Sequence, residues 1–331
     1  MSQLSIIKAH GSRNDIFIID GAPDDHFAAS EVARAVERLC DRRLGLGGDG
    51  AYFLADDGDG SARAWFFNPD GSAALLCGNG MRGVGRLLLD RYEAKTVTVR
   101  TGPYTFTVDD AGLTSHGVRN VAVELPLVDF APAEPIVGQA GVAVIARTLP
   151  AFHPSHPVTA VAVPNSHLVA LVDAYDEDEL VETGRRVADD PATFPIGANV
   201  SFVLPLADDE VFVRTFERGA GLTLSCGSGV AASRAVLSRL GLADPAQRVL
   251  VRNPGGTAHS RLREVDGQWQ PVLEGNATVV YRTELDAALL LGDGAIEFTR
   301  EVDPGEISAF DALNRENLAA LDAAGVRTSA G

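Results

Sequence analysis

The sequence has few cysteines and few positive charges for its length of 331 residues. Three cysteines cannot cross-link a fold of this size, and no CxxC pair or His-rich spacing suggests a zinc site. The 28 Lys and Arg are outnumbered by 45 Asp and Glu, and this excess of negative charge disfavours binding to nucleic acid or anionic lipid. No apolar run is long enough to span a membrane, and the N-terminal segment lacks the apolar core of a signal peptide. We therefore expect a cytoplasmic protein with reduced thiols.

Much of the chain alternates apolar and polar residues with a period of two, which is typical of β-strands. Two such runs flank Gly102-Pro103 and predict a hairpin. Helical spacing is found near residues 32–39 and 180–187, and after two cysteine-containing turns. The pattern indicates an α+β fold rich in antiparallel strands, without a βαβ succession. The strands are expected at Thr96–Arg100, Tyr104–Val108, Val121–Leu125, Val158–Val163, His167–Val172, Val200–Leu204 and Glu210–Phe216.

The sequence repeats one unit in its two halves. In each half a polar loop leads into Cys-Gly-x-Gly, at Cys77 and again at Cys226, and then into a helix. Asn68 and Glu217 occupy the same offset before the first and second cysteine. We predict two similar domains that face each other across a cleft: residues 1–128 with about 275–300, and residues 129–274. Residues 301–331 are expected to form an extra tail with a docked helix.

A cysteine followed by two glycines suggests a thiol at an exposed helix N-terminus. Successive backbone N–H groups there attract a carboxylate and lower the pKa of a thiol. Cys77 and Cys226 could instead be small buried apolar residues, or a disulfide, although the expected compartment disfavours the latter. Two matched copies favour an acid–base pair acting on opposite faces of one carbon, which inverts a stereocentre. Cys40 lies in a helix without glycines, and we assign it to packing.

With these motifs in place, the sequence resembles the diaminopimelate epimerases, which are amino-acid epimerases that use no pyridoxal phosphate. The resemblance runs from "KAHGSRNDIFIID" to "LEGNATVVY" and rests on the CGNG and ERGAG…CGSG boxes, with their order and spacing. It implies two pseudo-symmetric domains, each a barrel-like, mostly antiparallel sheet around a central helix, with the active site in the cleft between them. It further implies epimerisation of LL- to meso-diaminopimelate without a cofactor or metal.

The resemblance also implies a role for each site residue. Cys77 and Cys226 match the catalytic acid and base, while His167 and Glu217 match groups that tune the thiols. A second zwitterionic group on the substrate needs a guanidinium for its carboxylate, and Arg218 matches that residue. The residues that match the substrate-binding positions are Asn14, Asn68, Gly78, Asn79, Asn165, Asn199, Glu217, Arg218, Gly227 and Ser228.

The sequence departs from the family pattern at three positions that bear on substrate or packing. Gly50 replaces a glutamine that faces the substrate in some relatives, so that this contact is absent or comes from backbone. Leu222 stands where relatives often have glutamate, and Gly83 where they often have cysteine. Glycines within that helix, including Gly85, predict close packing.

Two alternatives to the diaminopimelate reaction stay open. One is a racemase or epimerase of the same family for another cationic or polar amino acid. The other is a non-catalytic amino-acid-binding relative, which the two retained cysteines disfavour. The partner is expected to be a small amino acid, and the sequence neither requires nor excludes a homodimer.

Overall fold

The computed structural model describes residues 3–329 of the chain. The first two residues of the predicted N-terminal domain and the last two of the predicted tail lie outside the described residues. The chain divides into two compact units. The first comprises the residues through Val123 together with Gly275–Leu313, and the second comprises Glu124–Glu274 with the residues from Asn314 onward.

The first unit begins with strands and short helices that lead to one long helix. The second unit is built from the same kinds of elements in a similar order. The first unit contains β1 (Gln3–Gly11), β2 (Asn14–Asp20), α1 (Pro23–His26), α2 (Val32–Cys40), β3 (Ala51–Gly58), β4 (Ser61–Phe67), β5 (Ala73–Ala74), α3 (Gly78–Tyr92), β6 (Thr96–Thr101), β7 (Tyr104–Leu113) and β8 (Arg119–Glu124), which ends at the boundary.

The chain then continues through the second unit and returns to the first. The second unit contains β9 (Arg147–Thr148), β10 (Pro157–Val163), β11 (Asn165–Leu171), α4 (Glu177–Asp189), β12 (Asn199–Ala207), β13 (Glu210–Glu217), β14 (Gly221–Leu222), α5 (Gly227–Arg239), β15 (Val249–Asn253), β16 (Gly256–Val265) and β17 (Gln268–Asn276). The returning elements are β18 (Thr278–Asp286), a 3-10 helix (Ala287–Leu291) and α6 (Pro304–Ala323).

The strand pairings show that the two units repeat one topology. In the first unit β1–β2 is antiparallel, β2–β3 parallel, β3–β4 antiparallel, β4–β6 parallel and β6–β7 antiparallel. The second unit has the same succession in β10–β11, β11–β12, β12–β13, β13–β15 and β15–β16. The parallel steps occur where a helix intervenes, because only a crossover can return the chain in the same direction. The predicted α+β architecture with its internal repeat is confirmed. The expected absence of βαβ connections is wrong, because each unit contains two parallel strand pairs that are joined through helices.

One helix in each unit is surrounded by strands. α3 contacts β1, β2, β3, β6 and β7, and α5 contacts β10, β11, β12, β13 and β16. Close packing needs the glycines of α3, since a Cβ added at Gly85 would lie 2.2 Å from Val108 Cγ1 and one at Gly83 3.2 Å from Ile18 Cδ1. The predicted close packing along this helix is confirmed. Cys40, 4% exposed, lies in the apolar core formed with α2 and matches its assignment to packing.

The unit boundaries differ from the sequence-based division at both ends. Residues 124–128 belong to the second unit, because the N–H groups of Leu125 and Val128 donate to the carbonyls of Pro271 and Trp269. The tail forms α6, which is shared: its residues through Leu313 belong to the first unit and the rest to the second. Among residues 3–329, no helix combines the length and the apolar character needed to cross a membrane.

Candidate active site

Cys77 is held at the N-terminus of α3 by backbone and side-chain contacts. It is the N-cap residue (φ −118°, ψ 109°), and its Sγ accepts a hydrogen bond from Gly80 N–H at 3.4 Å. The Tyr52 hydroxyl accepts from Cys77 N–H at 2.9 Å and lies 3.2 Å from Cys77 O, to which it donates. Asn14 Oδ1 accepts from the thiol at 3.3 Å. The site residue Asn14 and the first cysteine are therefore in direct contact.

Cys226 occupies the matching position on α5. It is the N-cap residue with nearly the same dihedral angles (φ −112°, ψ 111°), and Gly229 N–H donates to its Sγ at 3.4 Å. Ser228 Oγ lies 3.5 Å from this Sγ. The two cysteines thus share one backbone environment, in which an N–H group of the first helical turn donates to the sulfur atom.

The structure explains why each cysteine is followed by glycine three residues later. A Cβ added at Gly80 would lie 2.8 Å from Tyr52 Cε2, and one at Gly229 would lie 2.5 Å from Thr215 Oγ1. Any larger residue would push the helix N-terminus away from the strands that support it. The second glycine of each Cys-Gly-x-Gly box is therefore a packing requirement that brings the N–H donor to the sulfur.

Burial and a neighbouring carboxylate keep the proton on Cys226. Burial raises the pKa of the Cys226 thiol well above its usual value, and the Glu217 carboxylate beside it raises that pKa further. Burial also raises the pKa of Glu217, while hydrogen bonds from Thr223 and Cys226 lower it. These effects outweigh the helix N-terminus, which by itself favours a thiolate. The raised pKa favours the protonated thiol at Cys226.

His167 is a neutral hydrogen-bonding group in this second cluster. Its ring has no exposed surface, and burial lowers its pKa to about 3. His167 Nε2 lies 3.0 Å from Ser228 Oγ and 3.5 Å from Asn199 Nδ2. Asn199 Oδ1 in turn accepts from Arg218 N–H at 2.9 Å. An uncharged ring cannot stabilise a thiolate by its charge, and His167 is connected to the Cys226 sulfur only through the Ser228 hydroxyl.

The exposed Arg218 is fixed by its own segment. Its guanidinium donates to the carbonyl of Ile196, and its side-chain stem lies against Gly197. Gly197 has a φ of +62° and leaves room for the stem, since a Cβ there would lie 2.9 Å from Arg218 Cδ. The guanidinium is thereby held at the surface of the second unit.

Arg82 is a buried cation near Cys77 that the sequence analysis did not single out. It is 1% exposed, its Nε donates to Asn276 O at 3.0 Å, and its NH2 donates to Ser12 Oγ at 3.4 Å. Burial lowers the pKa of Arg82 to about 10, and the electrostatic interaction with Cys77 acts in the opposite direction. Tyr52 and Thr223 were also missed. Arg82 could have been noticed in the sequence as a charged residue inside the glycine-rich helix that follows Cys77. Tyr52 lies in an apolar strand, where nothing in the local sequence marks it.

The remaining predicted residues lie close to these clusters in sequence. Asn68 forms a turn in which its Nδ2 donates to Ser72 Oγ at 3.0 Å. Asn165 is exposed at the start of β11, two residues before His167. Gly78 and the buried Asn79 begin α3, and Gly227 begins α5. These positions are consistent with a substrate contact, and the predicted binding roles stay predictions.

Two of the departures from the family pattern, at Gly50 and Leu222, have structural counterparts. Gly50 has a φ of +151°, and a Cβ there would lie 2.8 Å from the Phe66 ring and from Phe67 O. No side chain fits without displacing the strand, so the glutamine of some relatives has no equivalent at this position. Leu222 is partly buried against the apolar core of the second unit.

Within residues 3–329, one group brings three potential metal ligands together: His153, His156 and Glu179. The two His Nε2 atoms lie 3.0 and 3.2 Å from the carboxylate oxygens of Glu179. His153 Nδ1, however, accepts from the N–H groups of Ser155 and His156 at 3.2 and 3.0 Å. A neutral ring then carries its proton on Nε2, which leaves that atom no lone pair for a metal. The group is better described as two stacked histidines whose Nε2 atoms approach one carboxylate.

Comparison with known proteins agrees with the boxes and with the fold. The diaminopimelate epimerase family matches residues 6–126 and 159–280. The diaminopimelate epimerase of Enterococcus faecalis is 36% identical over 299 residues, which cover 88% of this chain and 91% of that protein. The diaminopimelate epimerase of Clostridium acetobutylicum is 30% identical over 287 residues, covering 86% of each. The matched ranges leave α6 outside.

Solved structures that resemble the chain share its fold at low sequence identity. A phenazine biosynthesis protein of the PhzF family from Bacillus anthracis has a TM-score of 0.63 at 14% identity, covering 86% of this chain and 99% of that one. A hydroxyproline epimerase from Agrobacterium vitis has a TM-score of 0.57 at 17% identity, covering 87% and 92%. On the family match and the identity to two curated relatives, the chain belongs to the diaminopimelate epimerase family.

Proposed function

We propose that this protein is an isomerase that converts LL-diaminopimelate to meso-diaminopimelate without pyridoxal phosphate, for lysine and cell-wall synthesis. The observation that carries the proposal is the duplicated cap, in which Cys77 and Cys226 occupy the same N-cap position of α3 and α5 with nearly equal dihedral angles. Curated relatives of that name match most of the chain. A binding module would need neither thiol, so the cysteines favour the enzyme over the non-catalytic alternative.

The reaction moves one proton off an α-carbon and another onto it. In the LL-to-meso direction the Cys77 thiolate takes the α-proton, and the Cys226 thiol delivers its own proton to the opposite face. The C–H bond that breaks and the one that forms involve the same carbon, so charge and protons balance without an oxidant. Contact with Glu217 and burial keep Cys226 protonated and support its role as the acid in this direction. The reverse reaction exchanges the two roles.

The α-proton of an amino acid is weakly acidic, so the carbanion needs electrostatic stabilisation. The N–H groups at the start of α3 and α5 can bind the α-carboxylate, on which negative charge increases in the transition state. Gly78 and Asn79 would supply these donors on one side, and Gly227 and Ser228 on the other. This arrangement requires that both helix N-termini reach one substrate.

The distal amino-acid group of diaminopimelate needs a cation and several acceptors. We assign its carboxylate to Arg218, whose guanidinium can form two parallel hydrogen bonds. Its ammonium is assigned to Glu217 and to the side-chain oxygens of Asn68 and Asn165. Asn14 and Asn199 complete the set: the first contacts the Cys77 thiol, and the second anchors Arg218 through its backbone N–H.

The decisive experiment follows α-hydrogen exchange and stereochemistry by proton NMR in D2O. Wild type should convert LL-diaminopimelate to the meso product with deuterium at the inverted carbon. Cys77→Ala and Cys226→Ala should each abolish inversion. Cys40→Ala is the matched control and should retain it, because Cys40 lies in the core of the first unit. Inversion at the wild-type rate in either variant of the N-cap cysteines would eliminate the two-thiol scheme.

A second candidate function is the same inversion on another cationic or polar amino acid, and Gly50 is the observation that favours it. A panel of L-amino acids in D2O distinguishes the two. Arg218→Met should reduce kcat/KM for diaminopimelate by about tenfold or more, since the distal carboxylate of the substrate would lose its charge partner. Arg185→Met, on the exposed face of α4, is the control. Intact turnover in Arg218→Met would remove the distal-carboxylate role.

We further assign the protein to the cytoplasm, where its three cysteines, none of which forms a disulfide, stay reduced. A homodimer stays a prediction.

A further inference from the structure

The C-terminal helix α6 lies beyond the ranges 6–126 and 159–280 that the family model matches. Its residues through Leu313 belong to the first unit, and its later residues belong to the second. Each part makes specific polar or aromatic contacts within its own unit. In each unit the residues that α6 contacts are adjacent to a residue that supports an N-cap cysteine.

In the first unit α6 contacts the turn between β1 and β2. The ring of Phe310, 3% exposed, meets the ring of His10 edge-on with the centroids 4.4 Å apart. Asp311 lies 3.5 Å from the guanidinium of Arg13 in the same turn. Ser12 and Arg13 both have positive φ, at 53° and 63°. Non-glycine residues in that conformation are retained only where surrounding contacts hold them.

This turn ends at the residue that contacts the first cysteine. Asn14 follows Arg13 directly, and its Oδ1 accepts the hydrogen bond from the Cys77 thiol at 3.3 Å. Asn276 holds the turn from the other side, since its Oδ1 accepts from Ser12 N–H at 2.8 Å and its Nδ2 donates to His10 O at 3.1 Å. A shift of the turn would therefore move Asn14 relative to the sulfur.

A second anchor fixes the same half of α6 to the cysteine's own helix. Glu306 accepts from the Arg86 guanidinium, with an Oε2–NH2 distance of 3.0 Å, and from Val279 N–H at 2.6 Å. Arg86 lies on α3, the helix that Cys77 caps. The first half of α6 is thus bonded to both supports of this cysteine, the helix behind it and the turn beside it.

The second half of α6 reaches the chain segment before the other cysteine. The buried Asn317 donates through Nδ2 to Asn253 O at 2.9 Å, and its Oδ1 accepts from Arg252 at 3.3 Å. Asn253 Oδ1 accepts from Ser225 Oγ at 2.9 Å, and Ser225 immediately precedes Cys226. Asn317 therefore holds Asn253, which in turn is hydrogen-bonded to Ser225, the residue that precedes Cys226.

We propose that α6 is a positioning element of the reaction, in which Phe310 orients the Asn14 turn at Cys77 and Asn317 orients the Ser225–Asn253 pair at Cys226. The expected effect on kcat rests on the proposed function, whereas the expected effect on the environment of the two cysteines does not. Neither side chain belongs to the acid–base pair, and each acts through another residue. A displacement of about 1 Å in a reacting group can reduce a rate a hundredfold, so small shifts of either support should be measurable.

The test compares Phe310→Ala and Asn317→Ala with the control Leu318→Ala, an exposed position on the same helix. Purified, folded variants are assayed for kcat and KM on diaminopimelate. Each is also pulsed with iodoacetamide across a pH series, and the alkylation of each cysteine is measured by peptide mass spectrometry. Cys40, in the core, serves as the internal reference.

We expect kcat to fall about tenfold in both variants, with KM changed less than about threefold, because binding groups stay in place while the reacting groups shift. Phe310→Ala should shift the pH dependence of alkylation at Cys77 but not at Cys226, and Asn317→Ala should do the reverse. Phe310→Tyr, which keeps the ring, should restore the wild-type profile. A general loss of stability cannot produce this opposite pattern.

Wild-type kcat and unchanged alkylation at both cysteines in folded Phe310→Ala and Asn317→Ala would overturn the proposal. Equal shifts of the alkylation profile at both cysteines in both variants would also overturn it, since they indicate a general loss of structure that affects both sites alike. If Phe310→Ala does not fold, Phe310→Leu keeps the apolar volume without the ring edge and carries the same test. Alkylation of the cysteines needs no substrate. If the protein does not act on diaminopimelate, the alkylation profiles still test whether α6 positions the two cysteines.

Discussion

Acidification should destabilise the second unit through the buried His167. Its ring has no exposed surface, and burial lowers its pKa from 6.5 to about 3. Between those two values the unfolded chain binds a proton that the folded unit does not. The free energy of unfolding therefore falls as the pH drops below 6.5, and the loss ends near the folded pKa.

The magnitude follows from the width of this window. Each pH unit within it removes about 1.4 kcal/mol, so His167 alone should remove about 2 kcal/mol of the unfolding free energy between pH 6.5 and pH 5. A loss of this size is a large part of the stability of an ordinary domain. Other groups also titrate between these pH values. Their contribution is removed by comparing wild type with His167→Gln, which has no titrating ring at this position.

The assay uses the two tryptophans of the chain. Trp65 lies in the first unit and Trp269 in the second, so in a Trp65→Phe background the remaining tryptophan lies in the second unit. Urea denaturation at both pH values should give a smaller loss in His167→Gln than in wild type. Leu168→Ala, at the neighbouring buried position, should lower stability at both pH values and keep the wild-type difference. An equal loss in wild type and His167→Gln would refute the reasoning.

Further predictions concern packing and the pKa of the second thiol. Gly85→Ala should destabilise the first unit by about 1–3 kcal/mol, because the new methyl carbon would lie 2.2 Å from Val108 Cγ1, and Val108→Ala should recover part of this in thermal denaturation. Tyr52→Phe should lower kcat by about tenfold in steady-state assays, since the first cysteine's amide would lose its acceptor; a folded variant with wild-type kcat would contradict this. Glu217→Gln should move the alkylation profile of Cys226 to lower pH, because its carboxylate raises that pKa; no shift, or one to higher pH, would argue against the assigned charge effect.

The local sequence contains most of the information on the elements. The apolar spacing at Val32, Val36 and Leu39 predicts the helix that the structure places at Val32–Cys40. The alternation around Gly102-Pro103 predicts the hairpin of β6 and β7. The Cys-Gly-x-Gly boxes predict two helix N-termini, and both cysteines are N-cap residues. These features depend on a few neighbouring residues, and so they can be read from short segments.

Contacts between distant segments could not be predicted in the same way. β1 pairs with β18 near the other end of the chain, and Phe310 meets His10 across a similar separation. Neither pairing leaves a periodic pattern. The Tyr52 hydroxyl lies at Cys77 because β3 passes behind the helix N-terminus, which depends on the packing of the whole unit. The family resemblance supplied the roles of the site residues, and their individual substrate contacts stay predictions.

The two sulfur atoms have the same backbone environment but opposite charges nearby. A guanidinium, that of Arg82, interacts with Cys77, whereas a carboxylate, that of Glu217, adjoins Cys226. In the proposed scheme one LL-to-meso turnover leaves a thiol at Cys77 and a thiolate at Cys226. This is the less favoured charge distribution, because the thiolate then adjoins the Glu217 carboxylate. The free protein must then return to its starting form through solvent before it can act again in the same direction. When the substrate is saturating, a return slower than the proton transfers would limit the rate of turnover.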